Sequence, residues 1–148
     1  MTFDNLSMKK EIFVLGFLFI LISCGRTTVY PSDKKTKYIF TNQTNQGANL
    51  IGLKENILVK TIFVKDSSSS EFEVTTAKTF SFAESFFNDA DSVVIRFENG
   101  KTTTFDLKDI NFFHKSPLSA DAYSHSRINE EYLQKTYFIT QELLDSAK

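Results

Sequence analysis

The sequence predicts a mainly β fold, an antiparallel sandwich, and three observations predict it. From Tyr38 onward, short runs rich in Phe, Tyr, Val and Ile recur between clusters of Asn, Ser, Asp and Gly. The aromatic load is 16 Phe and 5 Tyr with no Trp, and Phe and Tyr favour strands. No strand–helix alternation marks a parallel sheet. A chain of 148 residues holds one domain with a core and is too short for two.

The expected elements follow in order. Tyr38–Thr41 is the first strand, and Asn42–Asn49 is a polar turn region. Leu50–Leu53 is the second strand. Ile57–Lys65 is long and apolar on both faces, which places it centrally in a sheet. Asp66–Ser70 is a loop ending in four serines. Glu71–Thr75 alternates, with Phe72 and Val74 inward and the acids outward, and Phe80–Phe82 repeats the pattern briefly. Ser92–Glu98, Asn99-Gly100 and Lys101–Leu107 read as a hairpin with a type I′ turn, because Asn-Gly tolerates φ > 0 at both central residues. That two-residue loop sets Glu98 opposite Lys101 and Val94 opposite Phe105. Ile110–Phe113 is a further strand, His114–Asn129 a long polar loop, and Thr136–Thr140 the last strand. Gln141–Lys148 suits a short helix, with Thr140 as N-cap, Glu142 in the first turn and Lys148 at its end. The expected domain, residues 38–148, is an immunoglobulin-like or related sandwich with a short C-terminal helix.

The N-terminal segment reads differently. Lys9 and Lys10 precede eleven residues, Ile12–Ile22, that are apolar apart from Gly16. A spanning helix needs about 20 such residues, since the hydrocarbon is roughly 30 Å thick. The run fits the apolar region of a signal peptide. Met8 is the expected start, because residues 1–7 add Asp4 to an otherwise basic region.

Leu21-Ile22-Ser23-Cys24 resembles a lipobox, the processing site of bacterial lipoproteins. The resemblance implies cleavage between Ser23 and Cys24, a diacylglyceryl thioether on the Cys24 sulfur and acylation of its freed amino group, with palmitate-type chains. Residues 1–23 are then the signal peptide, and 24–37 the lipidated cysteine with a flexible leash. Those 13 residues, Gly25–Lys37, reach on the order of 20 Å as a coil. Two acyl chains anchor a protein without any protein surface touching lipid. By the same resemblance, Gly25 in place of Asp points to the outer membrane. The absence of acidic residues in Gly25-Arg26-Thr27-Thr28 points to the periplasmic side.

The layout of the mature chain resembles a group of small Bacteroidota lipoproteins. The resembling features are Tyr38-Ile39-Phe40-Thr41-Asn42-Gln43-Thr44, Asp91-Ser92-Val93-Val94-Ile95-Arg96-Phe97 and Tyr137-Phe138-Ile139-Thr140-Gln141-Glu142. Leu143-Leu144 departs from the pattern, which has an acid and an aromatic there. The resemblance implies a fold and an address, and no reaction.

Chemistry-bearing constellations are sparse. His114 and His125 flank Asp121 at a spacing that fits no compact metal motif, so two exposed histidines are expected and no metal or other cofactor. Glu71 with Glu73, and Glu130 with Glu131, read as solvated faces rather than acid–base pairs. Ser67–Ser70 lacks a nucleophile-elbow setting. The single cysteine is assigned to lipid, which excludes a catalytic thiol and a disulfide within the chain. Phe86-Phe87 and Phe112-Phe113 read as core, with one ring of each pair buried. Asp91-Ser92-Val93 and Asp145-Ser146-Ala147 resemble the O-glycosylation motif of Bacteroidota, with Ser92 and Ser146 as acceptors. A net charge of −1 supplies no field for nucleic acid.

The expected function is a membrane-anchored, non-enzymatic binding or accessory module of the cell envelope, with a protein partner. One alternative is an inhibitor or immunity-type lipoprotein that blocks an envelope enzyme with a protruding charged loop, such as His114–Asn129. The other is a hydrolase with an unrecognised site.

Overall fold

A computed structural model describes residues 33–76, 85–108 and 114–148. The leader, Ser23, Cys24, the strands expected at Phe80–Phe82 and Ile110–Phe113, and the Phe112-Phe113 pair lie outside these residues.

Among the described residues the fold is a mainly β sandwich of two four-stranded sheets with one short α-helix. Its strands are β1 (Lys34–Asn42), β2 (Ala48–Lys54), β3 (Ile57–Val64), β4 (Ser69–Thr76), β5 (Ser92–Phe97), β6 (Thr102–Asp106), β7 (Ser124–Arg127) and β8 (Tyr132–Ile139). Sheet A has the order β4-β1-β8-β7, and sheet B the order β3-β2-β5-β6. Every pairing is antiparallel except β1 with β8, which run parallel. That pair departs from the wholly antiparallel expectation.

Alternation along each strand builds the core. Tyr38 and Phe40 of β1 face Leu50 of β2, Ile62 and Val64 of β3, Val93, Ile95 and Phe97 of β5, and Tyr137 and Ile139 of β8. Phe86 and Phe87 are both buried, where one of the pair was expected. Phe86 packs edge-on to Tyr38 and Phe40, with centroids 5.2 and 5.1 Å away. Phe87 lies under β2, where a Cβ on Gly52 would come within 2.7 Å of its ring. A glycine there lets the backbone approach the aromatic plug.

The polar turn after β1 is a buried staple. The Asn42 amide donates to the Gln46 and Val64 carbonyls at 2.8 and 3.2 Å, and its oxygen accepts from the Thr44 N–H and hydroxyl at 3.0 and 2.8 Å. Asn42 ends a strand of sheet A and Val64 belongs to sheet B, so one side chain ties the sheets together.

Several boundaries differ from expectation. β1 begins at Lys34 rather than Tyr38, because Lys34–Lys37, expected in the leash, pair with Thr76–Glu73 of β4. β4 begins at Ser69, inside the expected loop. β8 begins at Tyr132, and the expected long loop contains a 3-10 turn (Ala120–Ala122) and β7. Helix α1 (Gln141–Ser146) is capped as expected, the Thr140 hydroxyl accepting from the Leu143 N–H at 3.4 Å. It buries Leu143 and Leu144, which accounts for the apolar pair there. Lys148 lies beyond the helix and bonds Thr102 through both backbone groups, at 2.8 and 3.0 Å.

The β5–β6 hairpin exists, but its turn and register differ. Val93 faces Phe105 and Val94 faces Thr104, so the loop has three residues, Glu98–Gly100, and only Gly100 has φ > 0, at 86°. Glu98 is held elsewhere: it exchanges backbone and carboxylate bonds with Gly47, both at 2.9 Å. The two-residue turn with both residues left-handed lies instead at Glu55-Asn56, with φ of 52° and 65°, between β2 and β3. The Asp91 carboxylate secures it by accepting the Glu55 N–H at 2.7 Å.

Candidate functional site

The outer face of sheet B and the edge formed by β3 are where the described surface is most apolar. β3 was expected at a sheet centre; it is an edge strand, bonded only to β2 within its sheet. Its apolar character on both faces has two causes. Ile62 and Val64 enter the core, whereas Ile57, Leu58, Val59 and Phe63 are exposed, Ile57 by 68% and Leu58 by 58%. Leu58 stands beside Leu53, and Thr61 beside Ile51, which in turn stands beside Val94 of β5. Ile51, Leu53 and Val94 are half-buried and point away from the core, so they extend the apolar surface from the edge across the face.

Edge strands usually carry a guard against pairing with another chain, such as a lysine, a bulge or a covering segment. The other edges show such guards. β6 is covered at Thr102 by the C-terminal Lys148. β7 has four exposed residues, Ser124–Arg127, and no large apolar side chain among them. β4 displays Glu71 and Glu73. In β3 a bulge opposite Gly52–Leu53 interrupts the ladder, but the lysine is turned away. Lys60 Nζ donates to the Phe86 carbonyl at 2.8 Å and lies 4.1 Å from the Phe86 ring centroid. Its charge is spent on the aromatic plug, and along Thr61–Val64 the edge is uncharged, with the Phe63 carbonyl accepting from the Ser70 hydroxyl at 3.0 Å.

The outer face of sheet A has the opposite chemistry. Lys35 pairs with Glu73 at 2.8 Å, Lys37 pairs with Glu71, and the Tyr132 hydroxyl donates to Glu73. The Lys35 ammonium and the Tyr132 hydroxyl hold the Glu73 carboxyl below its ordinary value, and Glu73 in turn raises Lys35 and Tyr132. Glu71 and Glu73 are solvated, as expected, and they also tie β4 to β1 and, through Tyr132, to β8.

The remaining expected site residues are dispersed. His114 is in a turn and His125 is on β7; both are exposed, and Asp121 lies in the 3-10 turn. Among the described residues no three His, Cys, Asp or Glu side chains form a group able to hold a metal ion. The stretch from His114 to Asn129 is pinned down rather than protruding: the Tyr123 hydroxyl donates to the Pro117 carbonyl at 2.9 Å, and Tyr137 donates to the Lys115 carbonyl at 2.8 Å. Burial pushes both phenols above their ordinary range. Ser92 is half-buried in the doubly paired β5 and donates to Asp91, whereas Ser146 is exposed at the end of α1 and donates to the Leu143 carbonyl.

Sequence reasoning missed Lys135. Starting the last strand at Thr136 left it outside, yet it occupies an inward position of β8, wholly buried, with its ammonium 5.7 Å from the Tyr38 centroid. The signal was the alternation Leu133, Lys135, Tyr137, Ile139, which runs four residues further back than the apolar run alone.

No protein-family model, curated protein sequence or solved structure matches the chain. Among the described residues no helix is long and apolar enough to cross a membrane.

Proposed function

We propose that the chain is a lipid-anchored module of the cell envelope, carried on Cys24, that performs no chemistry and presents β3 and the outer face of sheet B to a protein partner. One observation carries the binding role: β3 is an edge strand with Ile57, Leu58, Val59 and Phe63 exposed and its lysine withdrawn onto Phe86. The partner chemistry that fits is an extended apolar segment, which adds backbone bonds to β3 on the Ile57 side of Phe63, whose carbonyl Ser70 already occupies, and buries its side chains against Leu58 and Phe63. The anchor rests on the basic start, the short apolar run and the Ser23-Cys24 step. Gly25 after the cysteine favours the outer membrane, facing the periplasm.

The test is site-specific photo-crosslinking in native membranes, with the reactive residue at Phe63 and, as control, at Ser126 of β7, which is exposed in sheet A. The reading requires a discrete adduct from Phe63 alone, whose cross-linked peptide is an extended apolar segment of another protein. It also requires loss of the protein from the membrane fraction when Cys24→Ala is introduced. Equal labelling from both positions, or an adduct only with a second copy of this chain, overturns the partner. Unchanged fractionation of the Cys24→Ala variant overturns the anchor.

A further inference from the structure

We infer that the end of sheet A carrying the β7–β8 turn lies against the bilayer, with Ile128 in the boundary between headgroups and acyl chains. This inference rests on the reading of Cys24 as the lipid-bearing residue.

Chain length supplies the first argument. Only nine residues, Gly25–Asp33, separate Cys24 from the first residue of β1. Fully extended, that connection spans at most about 35 Å, and as a flexible coil about 17 Å. The Lys34 end of β1 is therefore held close to the lipid. The Asn42 end stands about 26 Å further along the strand.

Topology supplies the second. Because β1 and β8 run parallel, Lys35 sits beside Tyr132, the first residue of β8. The β7–β8 turn therefore shares the end where the chain enters the domain. An antiparallel pairing would have put that turn at the far pole. The turn is stapled to β1: the Lys35 N–H donates to the Glu131 carbonyl at 2.8 Å, and Lys34 Nζ to the Glu130 carbonyl at 2.6 Å.

The surface at this end supplies the third. Ile128 is 55% exposed at the start of the turn, and its own N–H is fixed to the Tyr132 carbonyl at 3.0 Å. Val74 of β4, which faces Thr36, is exposed at the same end. Lys34, Lys35 and Arg127 are matched there by Glu73, Glu130 and Glu131. The contact is thus an apolar insertion held in place by the anchor, not an attraction to anionic headgroups, and it is insensitive to salt.

The test uses the full lipidated protein in vesicles of phosphatidylethanolamine with a minority of phosphatidylglycerol. A thioether at Cys24 leaves Ile128→Cys as the only free thiol, which takes an environment-sensitive fluorophore. Asp66→Cys, in the β3–β4 turn at the opposite pole, is the control. The expected result is a blue-shifted emission at position 128 and about twofold quenching by brominated lipid, unchanged in high salt, with neither effect at position 66. Glu130→Cys repeats the measurement in case the first variant folds poorly. Protein that floats with the vesicles but shows equal, water-like emission at both poles overturns this inference and leaves the anchor standing. Protein that does not float, with Cys24 bare by mass spectrometry, removes the anchor and this inference with it.

Discussion

The two outward faces of the sandwich have the same number of strands beneath them and opposite surfaces. On sheet A, Lys35, Lys37, Glu71, Glu73 and Tyr132 bond one another across β4, β1 and β8, and Phe138 is the exposed large apolar side chain. On sheet B, Ile51, Leu53, Leu58, Phe63 and Val94 lie among threonines. A face whose polar groups satisfy one another offers little to a partner, whereas a face whose charges, Arg96 and Asp106, lie on β5 and β6, away from its apolar edge at β3, offers area and backbone bonds there. The sheets also rest on different supports. Phe86 packs on the rings of Tyr38, Phe40 and Phe72, while Phe87 supports β2 at Gly52.

The largest expected effect tests that support. Phe87→Ala removes a ring that is 1% exposed and leaves a cavity under β2. The expected loss of unfolding free energy is about 3–5 kcal/mol, read from denaturant titration. Phe87 supports β2 at Gly52, and β2 carries Ile51 and Leu53 of the apolar face, so partner capture through Phe63 should fall in the same variant even where it is still folded. A loss under about 1 kcal/mol would mean that the ring is not part of the packed core.

How much of this contrast was readable from the residues differs between the sheets. Glu71-Phe72-Glu73-Val74 alternates, so its acids could be assigned outward before any coordinates, although their partners in β1 could not, since Lys34–Lys37 look like a charged leash until β4 lies beside them. In β3 the apolar run Ile57-Leu58-Val59 with Ile62-Phe63-Val64 is equally consistent with burial on both faces and with burial on one face plus an exposed patch. Periodicity alone cannot separate those cases. The hairpin at Asn99-Gly100 was legible as a hairpin. Its register was not, because the choice was made by Glu98 bonding to Gly47, fifty-one residues away. Glu55-Asn56 carries no glycine to announce a left-handed turn, and Asp91 holds it from outside the hairpin. Those missed features share one cause: a distant partner overrides the local preference.

A smaller effect distinguishes the faces directly. Leu58→Asp with Phe63→Asp places two charges on the sheet B edge, and Thr75→Asp with Ser126→Asp does the same on sheet A. All four side chains are exposed, so each pair should alter stability by no more than about 1 kcal/mol. Partner capture should fall at least about tenfold for the first pair, as expected where apolar anchors are removed from the centre of an interface, and stay unchanged for the second. Equal losses from both pairs would show that net charge rather than location governs capture, and the distinction between the faces would fail.

The smallest effect belongs to sheet A and is one of pH. Glu73 is held below its ordinary 4.5 by the Lys35 and Tyr132 hydrogen bonds, so the folded state favours its charged form. Its contribution to stability is present above pH 4.5 and is lost as pH falls through the lowered folded value. Lys35 and Tyr132 are raised, from 10.5 and 10.0, so their contributions are present below those values and are lost as pH rises past them. The network therefore adds a shallow plateau of stability between about pH 4.5 and 10, and its exposure to solvent keeps that plateau low and sensitive to salt. In Glu73→Gln the melting temperature should decline less steeply than in the parent protein between pH 5 and 3, and molar sodium chloride should narrow the gap. Leu58→Asp, on the other sheet, should leave the alkaline limb of the profile as it is, since Lys35 and Tyr132 keep their partner. Should Glu73→Gln instead match the parent at every acidic pH, the ion pairs of sheet A would be a solvated face with no energetic link between its strands, and the contrast would reduce to the apolar side alone.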